Sequence, residues 1–143
     1  MNLVIAVKRF WLAFALLLVL GGLSARVLHA AAAARQQVAT TTSIQFSPAQ
    51  DRYPRGTRIT LIGTVRDCYG NGLGGKVVEF RESSSQGQRR LPDGYTDGSG
   101  RAYCPYTVPT DPNKDNVCIQ ARFTGDGTYY SSGSSWRRIP IGL

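Results

Sequence analysis

Beyond residue 34 this 143-residue chain has no histidine and no methionine, only two lysines (Lys76 and Lys114), and no second long apolar run. The missing histidine removes the side chain that most often carries protons near neutral pH. Ser-His-Asp and Cys-His nucleophilic arrangements are therefore excluded. Three cysteines are present without any C-x-x-C pair, so a tetrahedral metal site lacks its usual ligands and no cofactor is expected. Without a further apolar stretch of about 20 residues, a polytopic membrane protein is excluded. Glu79 and Glu82 lie three apart on an expected strand, which sends them to opposite faces, where they cannot flank one substrate bond. Asp93, Asp97 and Asp126 sit in separate turns, a weak basis for calcium and a good one for bonding local N–H groups. No catalytic residue is assigned, and catalysis is not expected.

The first 34 residues have a composition of their own. Lys8 and Arg9 precede the apolar run Phe10–Leu20, Gly21-Gly22 bounds it, and small residues Ala30–Ala34 follow. That order is the one of a secretory signal, with cleavage after Ala32, Ala33 or Ala34. The competing reading is a retained signal anchor, although Phe10–Leu23 supplies only 14 residues before Arg26 interrupts it. Residues 35–143 are expected outside the cytoplasm in either case, secreted or at the cell surface, and touch a membrane only if residues 1–34 are retained. Their length suits one domain with one modest core.

That part alternates with period two. Ile59, Leu61, Gly63 and Val65 share one face of Arg58–Asp67, Val78 and Phe80 one face of Lys76–Glu82, and Ala102, Cys104, Tyr106 and Val108 one face of Arg101–Val108. Val117, Ile119, Ala121 and Phe123 do the same in Asn116–Thr124. Weaker strands are expected at Thr41–Ser47 and Ser135–Ile141. Turn-forming clusters separate them, among them Tyr69-Gly70-Asn71-Gly72, Asp97-Gly98-Ser99-Gly100 and Thr124-Gly125-Asp126-Gly127. The fold class is therefore all-β, an antiparallel sandwich of about seven strands.

The run Ile59–Asp67 followed by Gly70-Asn71, Leu73, Gly75-Lys76 and Val78-Glu79-Phe80 resembles the first half of bacterial immunoglobulin-like surface domains. Thr96–Ala102 resembles their turn into a middle strand, and Ala121–Ser132 their penultimate strand and the loop after it. The resemblance spans about residues 40–141 and implies an immunoglobulin-like fold with a role in surface structure, adhesion or protein interaction. In such a strand order Cys68 and Cys104 fall on neighbouring strands at one end, which implies a Cys68–Cys104 disulfide. Cys104–Cys118 is the competing pair, and three reduced thiols a further reading.

Two binding surfaces are open to the sequence. Tyr69, Tyr130 and Trp136 are expected in or beside loops at one end, where exposed rings can stack on sugars, so a small carbohydrate-binding module is the alternative reading. Trp136 alternates away from Ile139 and Ile141 and is the preferred contact; the resemblance to immunoglobulin-like surface domains implies that a tyrosine of the Tyr129-Tyr130 pair packs under the sheet. Arg52, Arg55 and Arg58, with the pairs Arg89-Arg90 and Arg137-Arg138, give an electrostatic reading. After residue 34, 14 basic residues face nine acidic ones. Placement outside the cytoplasm argues against nucleic acid, and the expected partner is an envelope protein or a surface polysaccharide. The polar segment Arg35–Thr42 is also a candidate for strand exchange between chains.

Overall fold

The computed structural model describes residues 36–142, and the expected signal segment, residues 1–34, lies outside the described residues. Strands β1 (Thr40–Ser47), β3 (Arg58–Asp67) and β7 (Arg101–Thr107) form one sheet in the order β1-β3-β7. A second sheet runs β2 (Tyr53–Pro54), β10 (Arg137–Gly142), β8 (Asn116–Phe123), β4 (Val77–Ser84), β5 (Gly87–Arg90); β6 (Gly94–Tyr95) joins β4, and β9 (Ser132–Gly133) joins β8. All pairings between strands are antiparallel except β2 with β10. The described residues contain no helix.

The alternation expected from the sequence sets the packing. Ile59, Leu61 and Val65 from β3, Val78 and Phe80 from β4, Cys104 and Tyr106 from β7, and Val117 and Ile119 from β8 belong to one buried cluster drawn from both sheets. Two facing sheets with inward-pointing alternate residues form a β-sandwich. Removing these side chains from water, at roughly 25 cal/mol per Å² of apolar surface, is the main stabilising term. Gly63 has no side chain because a Cβ there would lie 2.9 Å from Val78 Cγ1 and 3.3 Å from Ala121 Cβ, across the core. Gly100, with φ of 81°, turns the chain into β7, where a Cβ would collide with the Val65 carbonyl.

The turns rest on aspartates. Asp67 Oδ1 accepts the N–H groups of Tyr69 and Asn71, Asp97 Oδ1 those of Ser99 and Arg101, and Asp126 Oδ1 those of Thr128 and Tyr129. Each carboxylate replaces water as acceptor for a turn whose N–H groups have no ladder partner.

The expected disulfide is not formed: Cys68, Cys104 and Cys118 are free thiols. The register explains why. Cys104 lies opposite Leu61, whereas Cys68 follows Asp67, six residues farther along β3. That is about 20 Å of strand, while a bridge needs Cα atoms within about 7 Å. The competing pair fails as well. Cys104 points into the core from one sheet, and Cys118 lies on the outer face of the other, between the buried Val117 and Ile119. Within the segment considered for strand exchange, Thr40, Thr41 and Thr42 pair with Asp67, Arg66 and Val65 of the same chain.

Candidate functional site

The aromatic residues do not assemble into one platform. Tyr69 is 83% exposed and Tyr130 54% exposed. They share an end of the sandwich: Thr40 lies opposite Asp67 and donates from Oγ1 to the Tyr130 carbonyl. Trp136, 39% exposed, stands elsewhere. β8 pairs Phe123 with Ser132 and Ile119 with Arg137, so Trp136 sits beside Gln120, about 10 Å up the strand from that end. Tyr129 packs against the core, and its ring lies 4.6 Å from Lys76 Nζ.

The arginine clusters are divided by the fold. Arg55 donates to the carbonyls of Asp111, Pro112 and Lys114 and so ties down the β7–β8 connection. Arg137 donates to the Ile44 carbonyl at 3.2 Å and lies over the Phe46 ring. It forms a wall of a groove of about 300 Å³ with Tyr53 and Arg138, but its own guanidinium is used in closing β1 against β10.

A second cleft, about 470 Å³, is built differently. The β4–β5 hairpin forms one side with Ser84, Gln86, Gln88 and Arg89, and the other is formed by Thr107 at the end of β7 with Thr110, Asp111 and Lys114 of the β7–β8 connection. Glu82 forms part of its lining. This acid occupies the inward parity of β4, after Val78 and Phe80, and is only 3% exposed. Its Oε2 accepts Arg89 Nε at 2.9 Å and the Tyr106 hydroxyl at 3.0 Å, and Arg89 Nη2 lies 2.7 Å away. The charge is compensated by the guanidinium, as a buried carboxylate requires. Burial first, then the Glu82 charge and hydrogen bond, push the Tyr106 phenol far above its ordinary range. Tyr106 is therefore a fixed donor on Glu82.

The remaining acids are mostly engaged. Glu79 meets Arg81 and Arg90 on the outer face, Asp93 meets Arg90, and Asp115 lies 3.6 Å from Arg55. Asp67, Asp97 and Asp126 have their pKa values lowered, first by Asn71, by the Ser99 hydroxyl and by Lys76 respectively. Among the described residues no three His, Cys, Asp or Glu side chains converge as a metal group would need.

Sequence reasoning missed Glu82 as a site residue. The signal was present, since Glu82 continues the Val78–Phe80 face by two residues. Gln86, Gln88 and Lys114 carried no such signal, because only the chain path brings their loops together. No protein-family model matches this chain, and no curated protein matches it.

Proposed function

We propose that this chain is an exported, non-catalytic immunoglobulin-like module that acts at the cell surface by binding another protein or an envelope polymer. The strand order carries the reading. The placement of β1, β3 and β7 on one sheet and β4, β8 and β10 on the other supports it, being similar to the A-B-E and C-F-G division of the immunoglobulin sandwich. β5 extends the second sheet beside β4. The order therefore fits the resemblance carried by Ile59–Phe80 and Ala121–Ser132. A binding role without chemistry is supported by the acids, most of which hold turns or arginines. Export follows from the order of charge, apolar run and small residues in the first 34 positions.

The test is retention of envelope material from the source cells on the immobilised protein, with that material first digested by protease or oxidised by periodate. Saturable retention abolished by either treatment is the expected result, and the abolishing treatment names the partner class. Retention no greater than on an unrelated immobilised β-sandwich contradicts the proposal.

A further inference from the structure

We infer that the cleft between the β4–β5 hairpin and the β7–β8 connection is a binding subsite for a neutral sugar ring, recognised through a pair of adjacent hydroxyl groups. The inference rests on the binding reading above and names the ligand class of one surface.

Glu82 carries the argument. Its Oε2 is fully engaged by Arg89 and Tyr106, whereas Oε1 accepts no hydrogen bond among the described residues. No buried side-chain oxygen or nitrogen among those residues lacks a partner, so Oε1 must reach solvent. Since Glu82 lines the cleft and is otherwise enclosed, that solvent is the cleft itself. A nine-tenths-buried carboxylate thus offers one fixed, unused acceptor at the base of a cavity in the size range of small-ligand sites.

The rest of the lining limits what can bind there. Lys114 has no acidic partner among the described residues, and the Gln88 amide has no hydrogen-bond partner among them. Thr107 and Thr110 add hydroxyls. Two acids, Glu82 and Asp111, balance two bases, Arg89 and Lys114, so no net charge draws an ion of either sign. No aromatic ring lines the cleft, and Pro109 is its one apolar side chain, which excludes an apolar ligand. What remains is a ligand that donates and accepts at neighbouring positions. Adjacent sugar hydroxyls do this: one donates to Glu82 Oε1 while the next accepts from Lys114 Nζ or the Gln88 amide. The groups are preorganised, because Arg89 and Tyr106 hold the acid and Arg55 holds the connection bearing Lys114.

The experiment is affinity electrophoresis of the natively exported protein through gels containing dextran, mannan, galactan or xylan, with polygalacturonate as the acidic comparison. Retardation by at least one neutral polysaccharide is expected, with Lys114→Ala and Gln88→Ala each weakening it about tenfold. Trp136→Ala is expected to leave it unchanged, and unaltered melting temperatures keep folding out of the comparison. The inference is overturned by no retardation in the four neutral gels, by retardation in polygalacturonate alone, by indifference to both cleft variants, or by dependence on Trp136. If it fails while envelope material is still retained on the immobilised protein, the binding reading stands and only the sugar cleft is lost.

Discussion

Glu82 shows how one side chain can belong to both the fold and the surface. Tyr106 reaches it from the opposite sheet, so the hydrogen bond fastens β7 to β4 at the end where the core opens into the cleft. Tyr106→Phe removes a bond to a charged acceptor and should cost about 1.5 kcal/mol in chemical denaturation. Arg89→Ala should cost about 1–2 kcal/mol; this is less than for a fully buried pair, because the Arg89 side chain is 63% exposed. The cysteines provide an independent check at this scale. Burial first, then the nearby Asp93 charge, push the Cys104 thiol up, and the side chain is 1% exposed. Iodoacetamide at neutral pH, followed by peptide mass analysis without reduction, should label Cys68 quickly, Cys118 more slowly and Cys104 only on unfolding. A Cys68–Cys104 linked peptide would contradict the β3–β7 register.

The long strands were legible because period two was strong in them. Every residue assigned to an inner face in β3, β7 and β8 is buried. The short elements were not legible. β2, β6 and β9 have two residues each, too few for a period, and all four residues of β5 are exposed, so nothing alternates there. Trp136, on the outward parity in the sequence pattern, is 39% exposed, but its place along the strand differs from the expected one, and the β8 register moves by one residue between Arg122–Gly133 and Ile119–Arg137. Cross-strand offsets of this kind leave no mark on hydrophobic pattern. The edges also depend on parity. The Gly100 carbonyl accepts from Val65 in β3, Val108 exchanges backbone hydrogen bonds with Gly56 and Thr57 just before β3, and the Arg101 carbonyl accepts from Asp97 on the other side. Residues 101, 103, 105 and 107 therefore turn their backbone groups away from β3, and Arg101 is already met there by Asp97. Pro105 stands where an edge N–H would otherwise invite a further strand. Pro105→Val restores that donor, and sedimentation velocity should then detect self-association at concentrations where the natural chain shows less; identical profiles would show that the edge is closed by other means.

At the scale of the molecule, the titration behaviour follows from which groups are present. With no histidine after residue 34, few side chains change charge between pH 5 and 8. Asp67, Asp97 and Asp126 are more acidic in the fold than their ordinary value of 3.8. The unfolded chain therefore takes up protons first as the pH falls. Their contribution is complete above 3.8 and is lost as the pH drops through the lowered folded values. Cys104 and Tyr106 are shifted the opposite way, so their neutral forms favour folding, and that contribution is lost as the pH rises through and beyond ordinary thiol and phenol values of 9.0 and 10.0. Calorimetry should give a melting temperature that is level from about pH 5 to 8, falls on the acid side below about pH 5, and declines again in alkali. Asp97→Asn should make the acid decline shallower. A steep change near pH 6.5, the range of histidine titration, would contradict this account.

The proposed binding role requires the sandwich to stay a rigid frame while its surface makes saturable contact with a partner. A nitrogen-15 amide titration of the protein with solubilised envelope extract is the test. Saturable shifts confined to one contiguous surface patch, with the amides of Leu61 and Ile119 in the core unmoved, are the expected result. Amide signals that stay fixed at every concentration, or shifts spread through the core, would contradict it.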